Sequence, residues 1–231
     1  MKIDRTAVRS LPVFHRMSDA DLDNLLGCAA VRRVPQGEAV FEQGQAATSF
    51  YLLLSGRLKV TQVTDDGQQI IVRMVHPGDL FGFARALQRV DYPARATAVA
   101  ESQVLSWPNE LWPQFVEQNA QLAANAIQTI GKQLEEAHTR IREMSTEEVE
   151  RRIAHVVLRL SERAGRKEEG GIQINFPISR QDIAQMTGTT LHTVSRILSA
   201  WETRGLVEGG RQKLLIRDLK KLALLAEGER D

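Results

Sequence analysis

Ser179-Arg180-Gln181-Asp182-Ile183-Ala184-Gln185-Met186-Thr187-Gly188-Thr189-Thr190-Leu191-His192-Thr193-Val194-Ser195-Arg196 is the stretch that decides how this chain is read. Ser179 and Asp182 stand at the spacing of a helix cap, because a serine hydroxyl can accept the backbone N–H three residues on. Ala184 is small where two helices must cross closely, and Gly188 supplies the turn between them. Thr190 can cap a second helix, in which Val194, Ile197, Leu198 and Trp201 recur at helical spacing and turn inward. Two short helices joined in this way form a helix-turn-helix. Leu191, His192, Ser195 and Arg196 are left facing outward at the start of the second helix, where polar side chains reach base edges in the major groove of DNA.

Donor geometry assigns the roles. Arg196 can fork onto O6 and N7 of a guanine, a contact worth roughly 1–3 kcal/mol of discrimination. Ser195 is short enough for a base or a phosphate. Thr189, Thr190 and Thr193 suit phosphates, together with Arg180 and the helix N-terminus. The plainer alternative is an ordinary helix pair with solvated polar positions. Downstream, Leu206–Ile216 reads as a tight hairpin whose tip carries Arg211 and Lys213, the wing of a winged helix that braces on the DNA backbone. Ile178–Arg217 holds six Lys or Arg against three acids, whereas the whole chain has a net charge of only +1. The basic excess is local.

Upstream, Ile127, Ile130, Leu134, Ala137, Ile141 and Met144 are spaced 3, 4, 3, 4, 3, an a/d heptad seam, and the same frame meets Ala123, Ala120 and Val116. A helix from Asn109 to Met144 would be roughly 50 Å long. A seam of that length predicts a parallel homodimer; the alternative is a helix packed wholly on its own domain. Ser145 and Glu148 stand at capping-box spacing, which places an interdomain hinge at Met144–Thr146. Val149, Ile153, Val156, Val157 and Leu160 then form an amphipathic helix. Gly165–Gly171 reads as a loop and Ile172–Ile178 as an edge strand interrupted by Pro177.

The N-terminal part has a different texture. Ser18 caps a short helix over 18–30, with Leu22, Leu25 and Leu26 on one face. From Val31 to Trp107, β-type runs (Val31–Val34, Ser49–Leu54, Leu58–Val63, Ile70–Val75) alternate with Gly37, Gly44, Gly56, Gly67 and Gly78. Many short strands imply an antiparallel barrel or roll. The fold class is therefore α+β: a sensory β-roll over 1–108, a dimerisation helix over 109–144, and a winged helix-turn-helix domain over 145–231.

Composition agrees. Of 231 residues, 42% are hydrophobic and 26% charged, the balance of a soluble protein with a proper core. No apolar run approaches the roughly 18 residues of a membrane span. The charged start Met1-Lys2-Ile3-Asp4-Arg5 lacks a signal-peptide core, which points to the cytoplasm with no membrane partner. The single cysteine, Cys28, excludes an internal disulfide and the ligand set of an iron–sulfur cluster, and reads as a small buried residue.

With these residues in view, the chain resembles the cyclic-AMP receptor protein / fumarate-nitrate-reduction regulator superfamily over nearly its whole length. The matching pieces are Pro35-x-Gly37, Phe41-x-x-Gly44, Tyr51-x-x-x-Ser55-Gly56, Pro77-Gly78-Asp79-Leu80-Phe81-Gly82, the heptad helix and Thr193-Val194-Ser195-Arg196. The resemblance implies a cyclic-nucleotide-binding-type β-roll, a parallel dimer and a two-fold symmetric operator. It also implies activation of transcription through RNA polymerase. Two departures matter. Gly82 is followed by Phe83 rather than glutamate, and the downstream position reads Ala94-Arg95 rather than Arg-Ser, so no cyclic-AMP response is expected. Phe81, Gly82, Phe83, Tyr92 and Arg95 suggest an effector pocket of more apolar character, although the aromatic residues can equally be core. His192-x-x-Ser195-Arg196 is similar to the nitrite- and nitric-oxide-reductase regulators of denitrifying bacteria, which implies a response to nitric oxide. Haem is then one candidate cofactor, with His15 or His76 as its iron ligand, and effector binding would re-register the heptad seam and rotate the recognition helices.

Two other classes compete. A β-roll metalloenzyme needs several ligands converging on the barrel, which holds only His76 and no His-x-His pair, so no enzymatic activity is expected. A protein-interaction module would keep the fold without the DNA reading.

Overall fold

The computed structural model describes residues 5–84 and 87–228. Met1–Asp4, the charged start, lie outside the described residues. The chain divides into two compact units: one runs to Glu136 apart from Gln68–Ile71, and the other starts at Ala137.

The first unit begins with α1 (Arg5–Arg9), a 3-10 turn over Pro12–Phe14 and α2 (Asp19–Gly27). Ser18 caps α2, its hydroxyl accepting from Asp21 N–H at 3.1 Å. Cys28 follows as the exposed C-terminal cap of α2, not the buried residue expected, because the helix has ended before its side chain could turn inward.

Six strands follow: β1 (Ala30–Val34), β2 (Ala39–Phe41), β3 (Ser49–Val63), β4 (Gln69–Val75), β5 (Leu80–Phe81) and β6 (Arg95–Pro108). They form one sheet in the order β1-β6-β3-β4, with β2 on β6 and β5 on β3. Ser49–Leu54 and Leu58–Val63, read as separate runs, are one strand of 15 residues whose register slips on either side of Ser55 and Arg57. Gly56 makes that bulge. It has φ +89°, and a Cβ there would run into the Ser102 side chain and the Glu101 carbonyl. The strand therefore bends at Gly56, where a turn between two separate runs was expected.

Both faces of β3 are buried, as the period of two requires. Tyr51, Leu53 and Leu58 join one core with Phe41, Phe81, Tyr92 and Val104. Phe50 and Leu52 join another with Leu105 and Trp107, closed by Leu22 and Leu25 of α2. Phe115 and Leu122, from the helices that follow β6, complete it.

Those helices are α3 (Leu111–Gln118) and α4 (Ala120–Thr146), so the helix expected to run unbroken from Asn109 is interrupted at Asn119. Asn119 leaves helical geometry at φ −132°, ψ 85°. Its buried carboxamide faces the Asp21 carboxylate, a side-chain bond that competes with the helical backbone. Val116 consequently belongs to α3 and not to the heptad helix.

The far end of α4 also departs from expectation. Ser145 and Thr146 donate back to the carbonyls of Ile141 and Arg142 at 2.9 and 2.8 Å, which extends the helix. No capping box forms with Glu148. Glu148 itself is the extended residue before α5 (Val149–Ala164) and makes no side-chain cap.

In the second unit α5 is followed by β7 (Gly165–Glu168), β8 (Gly171–Ile174), α6 (Arg180–Thr187), α7 (Leu191–Thr203), β9 (Val207–Gly210), β10 (Lys213–Ile216) and α8 (Leu219–Glu227). The strands form a sheet in the order β7-β8-β10-β9. Gly165–Gly171, expected as a loop, is the β7 edge strand and its turn onto β8. Its exposed charged side chains are tolerated because an edge strand needs pairing on one side only. The strand expected over Ile172–Ile178 ends at Ile174, although Phe176 and Ile178 remain buried. Ile153, Val157, Trp201, Leu206, Ile216 and Leu222 are among the buried side chains of this second unit.

Gly56→Ala is expected to lower the stability of the β-roll by about 1–3 kcal/mol, the cost of forcing an alanine into this backbone region. Urea unfolding followed by tryptophan fluorescence reads it, and an unchanged midpoint would contradict the role given to the bulge.

Candidate nucleic-acid interface

The α6–α7 pair is built from reciprocal local bonds. Asp182 N–H donates to the Ser179 hydroxyl and Ser179 N–H to the Asp182 carboxylate, each at 3.0 Å, which completes a capping box. α6 ends at Gly188, with φ 62° and ψ 41°, a left-handed conformation that glycine adopts without strain. Thr190 then caps α7, accepting Thr193 N–H at 3.1 Å, and the two hydroxyls lie 2.9 Å apart. Ile183 and Ala184 of α6 and Val194, Leu198 and Trp201 of α7 are all buried. Ile197, read as facing inward, is half-buried.

This packing sorts the outward residues. Thr190, Leu191, His192 and Arg196 are exposed, while Thr189, Thr193 and Ser195 are half-buried. Arg196 makes no hydrogen bond or ion pair among the described residues, so its guanidinium fork is available. Arg211 and Lys213 flank the exposed tip of the β9–β10 hairpin and are likewise unengaged among the described residues.

Arg180 is different. Expected on phosphates, it is turned back onto α7: Nη2 donates to Glu202 Oε1 at 2.9 Å, and Nη1 lies 3.4 Å from the Ser195 carbonyl and the Ser199 hydroxyl. The half-buried carboxylate outcompetes solvent for the guanidinium. Arg217 is also engaged, donating to Glu208 through Nε at 3.0 Å. Arg204 is engaged as well, which leaves Arg196, Arg211 and Lys213 as the outward cations of this segment. Glu202 and Ser199 carry no local signature in the sequence, because their meeting with Arg180 is made by the crossing of two helices.

The heptad residues face outward. Ile127, Ile130, Leu134, Ile141 and Met144 are 69%, 45%, 54%, 62% and 47% exposed, and Ala137 is exposed as well. The alternative of a helix packed wholly on its own domain is not what this chain adopts.

Comparison with known proteins places these features. Residues 31–119 match the cyclic nucleotide-binding domain and residues 151–225 the Crp-like helix-turn-helix domain. The chain belongs to the Crp/Fnr family. It is 28% identical over 221 residues to the Cyclic AMP receptor protein of Thermus thermophilus, covering 96% of this chain and 99% of that protein. It is also 28% identical over 222 residues to the Transcriptional activator protein FnrA of Stutzerimonas stutzeri, covering 96% and 90%. The solved structure of FixK2 from Bradyrhizobium japonicum superposes with a TM-score of 0.74 at 23% identity, covering 85% and 96%. This Crp/Fnr chain is accordingly a DNA-binding transcription regulator, and none of its described helices is long and apolar enough to cross a membrane.

Its β-roll does not assemble the expected effector set. Phe81 and Tyr92 are core: Tyr92 stacks on Phe41 with centroids 3.9 Å apart, and Phe81 stacks on Tyr51 at 5.2 Å. Gly82 leaves room for that packing, since a Cβ there would lie 2.8 Å from the Tyr51 ring. Phe83 points to the other core, against Phe50 and Trp112 at 5.4 and 4.8 Å. Arg95 is exposed and pairs with Glu42 at 3.1 Å. Phe81, Gly82 and Tyr92 thus meet in one core, whereas Phe83 turns to the other because the strand ends at Phe81 and Gly82, with φ +79°, breaks its alternation, and Arg95 stands apart on the surface. Nor do the histidines frame a buried haem: His15 is exposed after the 3-10 turn, and His76 is half-buried at the end of β4, its N–H on the Asp79 carboxylate at 2.9 Å.

Tyr92 is a chemical marker for the roll. Its hydroxyl donates to the Ser49 carbonyl at 2.6 Å and accepts Ser49 N–H at 3.1 Å. Burial, reinforced by the Tyr51 hydroxyl, raises its pKa well above the ordinary value of 10.0. A raised phenol pKa means stability that is complete below pH 10 and lost as pH rises toward the folded value. Unfolding midpoints should therefore fall above pH 10, and Tyr92→Phe should flatten that fall; an unaltered alkaline profile in the variant would contradict it.

Proposed function

We propose that this regulator works in the cytoplasm as a parallel homodimer on a two-fold symmetric operator, one α7 helix in each half-site, and activates transcription by contact with RNA polymerase. The observation that carries the reading is the unengaged Arg196 guanidinium on the outward face of α7, beside Ser195 and His192. Arg196 would read a guanine; His192, lacking the carboxylate that accepts cytosine N4, would set a different outer base. Thr189, Thr190 and Thr193, with Arg211 and Lys213 of the wing, would hold phosphates. The exposed heptad seam supports the dimer, since apolar side chains along a helix face are covered in a coiled coil.

The signal is proposed to be nitric oxide or a related nitrogen oxide, and the targets genes of nitrogen-oxide respiration. The His192-x-x-Ser195-Arg196 motif supports this. Phe83 and Ala94-Arg95, in place of the residues that hold a ribose and a cyclic phosphate, argue against cyclic AMP. Another small effector, or DNA binding without one, is the second reading, favoured by an aromatic core that is closed on itself.

Fluorescence anisotropy on inverted-repeat DNA tests the regulator. Arg196→Ala is expected to lower specific affinity by about 1–3 kcal/mol per half-site with little change on unrelated DNA. Unchanged sequence preference would overturn the assignment. Leu134→Glu should give monomers in sedimentation and lose cooperative operator binding. For the signal, operator affinity is compared anaerobically with a nitric-oxide donor, with cyclic AMP and with neither; a response to cyclic AMP alone would refute the nitrogen-oxide reading.

A further inference from the structure

The last ten residues of α4, from Ala137 to Thr146, share a compact unit with the helix-turn-helix. Three contacts fasten them there. The Glu143 carboxylate, only 8% exposed, receives both guanidinium nitrogens of Arg159 on α5: Nη2 donates to Oε2 at 2.9 Å, and Nη1 donates to Oε1. Arg152 Nη1 donates to the Met144 carbonyl at 3.2 Å. The Met144 methyl rests against Gly188, the turn between α6 and α7, where a Cβ would come within 2.8 Å of it. A bidentate carboxylate–guanidinium pair fixes direction as well as distance.

The same ten residues carry half of the seam. Ile141 and Met144 are exposed, while Glu143, two residues past Ile141 and so about 200° around the helix from it, faces α5. At this helix end Ile141 is left for a second copy, Glu143 is held to the DNA-reading domain, and Met144 lies between the two, half exposed with its methyl against Gly188. A free hinge at Met144–Thr146, expected from the capping signal, would let the recognition helix swing independently of the seam. The Glu143–Arg159 fork and the Met144–Gly188 contact cross that point.

We infer that Glu143 and Arg159 are positioning residues for half-site spacing: they transmit the seam geometry at Ala137–Met144 to α7 and so set the separation at which the two recognition helices meet DNA. The inference rests on the dimer reading above. Productive half-sites lie one helical turn apart, roughly 34 Å, and an error of one base pair shifts a half-site along the axis and around it. A rigid connection rejects such sites, and a loosened one accepts them.

The test uses the full chain and a series of inverted repeats with the preferred spacer or one base pair more or less. The wild-type protein is expected to prefer one spacer by on the order of tenfold. Glu143→Gln and Arg159→Gln should reduce that preference to less than about threefold while sedimenting as dimers and retaining affinity for an isolated half-site. Arg159→Lys keeps the charge but not the fork, and should relax spacing as well if direction is what matters; it also serves where a neutral variant fails to fold. Folded dimeric variants that keep the wild-type spacer preference overturn the inference. A wild-type protein that is monomeric, or indifferent to inverted repeats, would instead bring down the dimer reading and this inference with it.

Discussion

The crossing of α6 over α7 is the constraint on which the DNA-reading surface depends. It is held at three levels. Ser179 and Asp182 start α6, Gly188 ends it in a conformation that an alanine adopts only under strain, and Thr190 starts α7. Buried Ile183, Ala184, Val194 and Leu198 then bring the helices together. Arg180 crosses from α6 to Glu202 and to the Ser195 carbonyl, inside the segment proposed to read DNA. The outcome is economical in charge. Arg180, Arg204 and Arg217 are engaged within the protein, and the outward cations of the segment lie on α7 and the wing.

The exposed stripe on α4 is the second physical fact of consequence. Fully burying a large aliphatic side chain stabilises by roughly 1.5–3 kcal/mol, so Ile127, Ile130, Leu134, Ile141 and Met144 in water represent a substantial unmet driving force. The helix that bears them is anchored elsewhere by polar bonds. Asn125, buried near its start, donates from Nδ2 to the carbonyls of Val13 and His15, each at 2.9 Å. Glu143 anchors its end. Leu122, Ala126 and these polar groups thus fix the inward side, while the heptad stripe remains open.

Within the roll, aromatic side chains pack on one another. Phe41, Tyr51, Phe81 and Tyr92 close on one another, and the Tyr92 hydroxyl is satisfied by the Ser49 backbone. This accords with the departures at Phe83 and Ala94-Arg95, which lie on a roll whose backbone topology is that of the cyclic nucleotide-binding domain it matches.

The parts of this protein legible in its residues alone are those governed by bonds spanning three or four positions. The caps at Ser18, Ser179 and Thr190, the turn at Gly188 and the heptad period of α4 are all local, and each survives into the structure. Where local signals had a competitor, they misled. Ser145 bonds back into its own helix, Asn119 breaks one, and Gly56 bends a strand without reversing it. The rest was decided by tertiary structure: Arg180 finds Glu202 22 residues away, Glu143 finds Arg159 16 residues away, and Phe81 and Phe83 part to different cores. No spacing rule encodes such meetings, because they depend on how finished helices and sheets pack, and packing is a property of surfaces in three dimensions.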